Sequence, residues 1–219
     1  MTTYKLNKLI IAAISFILFN LFNSCNGQVK NLEDCRSHYK NALTGLNAYY
    51  KNNKTSLLQE SLTNIQESLK CPETRYKSID LKISLLILLK RYQSGYEFID
   101  SLSENDFNAK FKKKMNYDYF HALDYESKSD TANRNRLFSE IVADIQRYIQ
   151  NENMGKDTLN EEAYILLFSF KKTLVGLKKV DAEIDSLKGR YPLKKDYLDD
   201  LKNAIRESPI TDSVSATQN

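Results

Sequence analysis

From Leu32 to Ile205 the apolar side chains of this chain recur every three or four positions, and only two prolines, Pro72 and Pro192, fall within that stretch. That period is the signature of helices that bury one side, and a segment so poor in breakers holds few turns of the kind a sheet needs. The fold class predicted is therefore all-α. Leu32, Cys35, Tyr39, Ala42, Leu43, Leu46 and Tyr50 make the first stripe, and Leu58, Leu62, Ile65 and Leu69 the second. Tyr76 to Leu89 is followed by Tyr92 to Leu102, Phe111 to Leu123 by Phe138 to Ile149, and Tyr164 to Leu174 by Val180 to Leu187. A last stripe, Leu193, Tyr197, Leu201 and Ile205, completes nine helices as four antiparallel hairpins and a C-terminal capping helix.

Short polar stretches separate the stripes, as antiparallel neighbours require. Lys51 to Lys54 joins the first two helices, and Pro72 and Pro192 sit at junctions where a missing N–H is tolerated. Thr158 with Glu161 reads as a capping box ahead of the seventh helix. Glu126 to Asn133 reads as a polar insert that stretches the third hairpin, and residues 208–219 carry no apolar period and are expected to fray.

Ahead of the helical region lies a different kind of segment. Met1 to Lys8 is short and basic, and Leu9 to Phe22 is apolar but for Ser15 and Asn20, too short for the roughly 20 residues of a spanning helix and suited to a signal peptide. The sequence that follows, Phe22-Asn23-Ser24-Cys25-Asn26-Gly27-Gln28, resembles the lipobox of bacterial lipoprotein precursors, nearest to its relaxed form in Bacteroidetes. Ser24 and Cys25 fit that pattern, while Phe22 and Asn23 depart from it. The resemblance implies removal of residues 1–24, lipidation of Cys25 and a tether over 25–31 ahead of a helical domain over 32–207 anchored at the outer membrane; with no acidic run after Cys25 the periplasmic face is expected, the cell-surface face being the alternative. Several acyl chains, at about 0.8 kcal/mol per buried methylene, hold such a protein on its membrane.

The helical part also resembles the tetratricopeptide repeats. In Leu89-Lys90-Arg91-Tyr92-Gln93-Ser94-Gly95-Tyr96, Tyr92 stands in the aromatic slot of such a repeat and Gly95 in its small-residue slot. Ser61 takes the small slot of the preceding unit, with Pro72 near its terminal proline, and 95 minus 61 is 34, the family period. Beyond Leu102 the match loosens, with Ser139 or Ala143 in the third small slot and Ala182 in the fourth, so the chain is TPR-like. The resemblance implies a short α-solenoid whose concave surface binds a protein or peptide.

With Cys25 lipidated, Cys35 and Cys71 remain. They lie near the start of the first helix and at the end of the second, ends that an antiparallel hairpin brings together, so a disulfide is one expectation and two buried thiols the other. Thirty-two basic against 28 acidic residues, with two of the lysines in the signal segment, leave no electrostatic footprint for nucleic acid. His38 and His121 stand on different helices and far apart in sequence, so no metal is expected. No phosphate loop, GxSxG elbow or HExxH occurs, and the acids are spread along polar faces; neither an enzymatic activity nor a cofactor is predicted.

The candidate partner-binding residues are Lys110 and Lys113, in a lysine run around Phe111, and Tyr117, Tyr119 and Tyr125 on the same helix. Tyrosine offers rigid contact area with a polar tip, and lysine meets acidic groups. Asp130-Thr131-Ala132, Asp157-Thr158-Leu159 and Asp212-Ser213-Val214 resemble the O-glycosylation triplet of Bacteroidetes envelope proteins. The role expected is an adaptor or accessory lipoprotein of the envelope that binds a protein or peptide; the alternative is an immunity lipoprotein that sequesters a cognate antibacterial toxin.

Overall fold

The computed structural model describes residues 33–152 and 160–207, which are helix and turn with no strand among them. The protein is all-α. The expected signal segment 1–24, Cys25, the 25–31 tether, Thr158 and the 208–219 tail lie outside the described residues. Among the described residues no helix is long and apolar enough to cross a membrane. The chain divides into two compact units between Lys90 and Arg91. That division runs between the two helices that the sequence pairs as the second hairpin.

The first unit holds α1 (33–52), α2 (Thr55–Ser68) and α3 (Arg75–Leu88). Ala42 and Leu46 of α1, Leu58 and Ile65 of α2, and Leu81 and Leu85 of α3 form its core, with Tyr39, Tyr49 and Leu62 packed around them. Asn53 ends α1 with a φ of 52°, a left-handed geometry that asparagine accepts readily, and its N–H donates to the Tyr49 carbonyl at 2.7 Å. A Cβ on Gly45 of α1 would stand 2.2 Å from the Ser61 hydroxyl and 3.3 Å from the Leu57 carbonyl of α2, so both small residues are needed where these helices touch. Ser61 turns its hydroxyl back to the Leu57 carbonyl at 2.8 Å, which lets it sit buried without an orphan donor.

The inward face of α1 is narrower than its apolar stripe. Ala42, Leu46 and Tyr49 point to the core, whereas Leu43 is 38% and Tyr50 64% exposed, and Tyr76 of α3 is 53% exposed. The expectation that these three residues belong to the core stripes is corrected by helix rotation: one residue is about 100° of turn, enough to move Leu43 off the contact line set by Ala42.

The second unit holds α4 (Tyr92–Asp100), α5 (Phe111–Ser127), α6 (Thr131–Glu152), α7 (Glu161–Val175), α8 (Leu177–Arg190) and α9 (Lys195–Glu207), with 3₁₀ turns at Glu104–Asp106 and Pro192–Lys194. Each helix packs on its successor, and α9 reaches back to α7 as well. The core runs along α5, α6 and α7 through Ala122, Phe138, Ile141, Ile145, Phe168 and Phe170, all but shut off from solvent, and is closed by Val180, Ile184, Leu198 and Leu201 of α8 and α9.

The polar segment Glu126 to Asn133 does not form an extended loop. It continues α5 and starts α6, leaving three residues between them. Ser129 takes φ 60°, its N–H meets the Glu126 carbonyl at 2.9 Å, and the Asp130 N–H meets the Tyr125 carbonyl at 2.9 Å, the paired bonds of a Schellman ending. Asp130 then accepts the Asn133 N–H at 3.1 Å and so opens α6, while Arg134 pairs with Glu126 at 3.0 Å across the turn.

The seventh helix begins at Glu161, two residues later than a capping box opened by Thr158 would start it. Asn160 is the N-cap, its side-chain oxygen accepting the Ala163 N–H at 3.1 Å. Replacing Asn160 with alanine is expected to cost about 1 kcal/mol, read as a lowered urea midpoint with an unchanged slope. At the other end of the unit, Lys172 of α7 donates to the Ile205 carbonyl of α9 at 3.1 Å, capping the last turn with positive charge. Leu193, placed by its spacing in the last apolar stripe, is 97% exposed because the 3₁₀ turn at Pro192 sets it outside α9.

Candidate functional site

The lysine run on α5 is largely spent within the fold. Lys112, 5% exposed, pairs with Glu162 of α7. Lys113 donates to the Leu102 carbonyl just beyond α4, and Lys114 bridges Asp118 at 2.7 Å and Asp144 of α6 at 2.8 Å. The Lys114 ammonium beside Asp144 holds that carboxyl below the ordinary aspartate range. Lys110 alone of the run has no partner among the described residues; it is exposed, on the rim of a shallow hollow of about 300 Å³ with Asp100, Glu104 and Tyr117. Asp100 and Glu104 offset much of its charge, while Lys113 and Lys114, which also line the hollow, are engaged within the fold.

The candidate tyrosines on α5 are all half-buried and differ in what their rings pack against. Tyr119 packs edge-on to Phe170 with ring centroids 5.2 Å apart and lies 6.2 Å from Phe138, and burial pushes its phenol well above the usual range. It is half-buried, with its ring packed against the core. Tyr117 and Tyr125 are half-buried. Tyr117 meets His121, which stacks flat on Tyr96 of α4 with centroids 4.2 Å apart and an interplanar angle of 9°. This gives His121 a packing role. His38 lies 3.5 Å from the Asn64 side chain in the first unit.

A better-formed groove lies where no candidate was predicted. It has α7 as its floor and α6 and α8 as its walls, with a volume of about 430 Å³. Ile149, Leu167, Phe168 and Leu187 supply apolar surface. Gln146 and Gln150, one turn apart on α6, line one wall and make no side-chain hydrogen bond among the described residues. On the opposite wall Glu183 pairs with Lys171 from the floor, and Lys171 also sits 6.0 Å from the centre of the Phe168 ring. Toward the far end the Tyr164 and Tyr191 hydroxyls are hydrogen-bonded, and burial together with the Tyr191 hydroxyl pushes the Tyr164 phenol up to about 12. The Tyr164 phenol is thus neutral at neutral pH. Arg190, exposed beside them, has no acid paired with it among the described residues.

From Glu183 to Arg190 is seven residues of α8, about 10 Å of axial rise, which matches about three residues of extended chain. The pattern that marks this wall is faint in sequence. Glu183, Ser186, Leu187 and Arg190 share a helix face, and so do Gln146 and Gln150, but only packing of α6, α7 and α8 shows that the faces converge.

In the first unit Cys35 and Cys71 are joined by a disulfide that closes 36 residues of chain, with Cα atoms 5.9 Å apart. Beside it Ser68 bonds Thr74 at 2.9 Å and Ser78 at 2.8 Å, and reaches the Cys35 carbonyl at 3.5 Å. Thr131 stands exposed at the start of α6, while the triplets at 157–159 and 212–214 lie outside the described residues. No family model matches this chain, and no curated protein or solved structure matches it either.

Proposed function

We propose that this protein is a membrane-tethered interaction module that holds a protein or peptide segment in the groove between α6 and α8. The observation that carries the reading is the groove itself: an apolar floor bordered by polar side chains, Gln146, Gln150 and Arg190, that have no partner within the described fold. Free amides and a free guanidinium next to buried hydrocarbon are what a peptide requires, because its main-chain groups need partners when its side chains leave water. The acid at this groove is engaged with Lys171, which favours holding over catalysis.

Tethering rests on the lipobox resemblance at Cys25, which supports a place in the bacterial envelope, and the lack of an acidic run after Cys25 favours the periplasmic side of the outer membrane over the cell surface. The TPR-like pattern in the sequence fits the same role, that of an adaptor or accessory subunit.

The test is a photo-crosslinking residue at Gln150 in the native envelope, with Ser139 on the same helix but outside the groove as control. One discrete crosslinked partner from position 150 and none from 139 is expected. With the probe kept at position 150, Gln146→Arg together with Ser186→Arg, both changes of small stability cost at solvent-reaching positions of the groove walls, should cut that capture at least about tenfold. Equal capture from both positions, or capture indifferent to the double substitution, removes the groove as the binding site. A captured secreted toxin rather than an envelope component would turn the role to immunity.

A further inference from the structure

The first unit contains a second set of convergent side chains, apart from the groove. The Cys35 and Cys71 sulfurs and a Glu73 carboxylate oxygen all lie within 4.8 Å of one another. In the oxidised protein the two sulfurs are spent on each other. We propose that on reduction of this disulfide the same three side chains bind a single thiophilic divalent cation, zinc above all, with solvent in the fourth position.

Two thiolates and a carboxylate are a donor set that tetrahedral zinc accepts, at about 2.3 Å to sulfur and 2.0–2.2 Å to oxygen. Those bond lengths put the donors roughly 3.4–3.8 Å apart, so the sulfurs must part and the carboxylate approach by about an ångström. Side-chain rotation suffices if the backbone stays in place, and the backbone is held by more than the disulfide. Cys71 donates its N–H to the Ser68 carbonyl at 3.2 Å, and Thr74 returns its own to the Cys71 carbonyl at 3.2 Å. The Thr74 hydroxyl bonds the Ser68 carbonyl at 2.9 Å, and Ser68 reaches across to the Cys35 carbonyl. Ser68, Thr74 and Ser78 are buried, so these bonds are shielded from water. Glu73 is exposed on the connection from α2 to α3 and offers the ion a route in.

The chemistry balances without further groups. A protein dithiol in the cell, or a phosphine with water in vitro, supplies two electrons and is itself oxidised to a disulfide or a phosphine oxide. The Cys35–Cys71 bond breaks to give two thiols, and cation binding then releases both thiol protons to solvent. Affinity should rise with pH accordingly.

The experiment is a cobalt(II) titration of the full chain in detergent, oxidised and phosphine-reduced, with helicity followed by circular dichroism. The reduced chain is expected to develop thiolate-to-cobalt charge transfer that saturates at one equivalent and is bleached by zinc, and the oxidised chain to show none. Glu73→Gln should weaken cobalt binding about tenfold or more, a loss at least as large as that for a supporting residue, and Cys71→Ser should abolish the band with helicity kept. Zinc should also raise the melting temperature of the reduced chain but not of the oxidised one. Absence of the band in the reduced chain, whether it stays helical or unfolds, overturns the proposal; so does a Glu73→Gln chain that binds cobalt unchanged.

Discussion

Truncating Phe120 to alanine is expected to destabilise the second unit by about 3–5 kcal/mol, the range for removing a fully buried aromatic ring. Phe120 has no solvent exposure. Its ring lies against Gly95 of α4: a Cβ built on Gly95 would fall 2.2–2.5 Å from three of the ring atoms, closer than any real contact. The pair makes a sharper test than either residue alone. In the native background Gly95→Ala should destabilise by about 1–3 kcal/mol, since neither a fully packed ring nor a helix backbone gives way cheaply. In the Phe120→Ala background the obstruction is gone, and the same change should stabilise by about 0.5–1 kcal/mol through helix propensity. Urea melts of the four proteins measure the cycle. Two values of the same sign would mean that Gly95 is not there for the ring.

Converting both Cys35 and Cys71 to serine is expected to cost the first unit about 3–4 kcal/mol. The closed loop spans 36 residues, and chain-entropy arithmetic for that length gives this figure for the freedom restored to the unfolded state. The loss should appear in the melting of the first unit, followed through α1–α3 amide exchange, and leave the second unit unchanged. Because the Ser68 hydroxyl still joins α1 to the α2–α3 connection, the substituted hairpin should remain native in structure at low temperature, with near-unchanged helicity. A variant that loses helix in α1 outright would show that the disulfide alone holds the hairpin closed, and the hydroxyl cluster contributes little. Serine at both positions is the informative change, since a single substitution leaves a reactive thiol beside Glu73.

The helices were legible because their signal is local. Ile141 and Ile145, or Val180 and Ile184, are four residues apart and fully buried, so period and burial coincide. The signal failed where one helix carries more apolar surface than its neighbours can cover. Leu43 and Ala42 are adjacent in sequence and both apolar, but only the smaller faces α2 and α3. Gly95 stood out as the small residue of a repeat, and the partner that demands its smallness proves to be Phe120, on the following helix.

The candidate site was less legible for a related reason. Lys113 and Tyr119 have the residue types of an interface, yet one caps the end of α4 and the other packs with Phe170. Residue type cannot distinguish a lysine that awaits a partner from one that already holds a carbonyl. The groove residues were passed over because Gln146, Gln150 and Arg190 are unremarkable on a helix surface.

What the sequence by itself determined is the helical class and the nearness of Cys35 to Cys71, since each follows from spacing within one helix or one hairpin. Only the tertiary structure decided which cations are spent, which tyrosines are buried, and where free polar groups gather over an apolar floor. Those outcomes depend on how each helix is rotated against its neighbours. That rotation is set by the summed packing of many side chains far apart in the chain, and no local pattern records it.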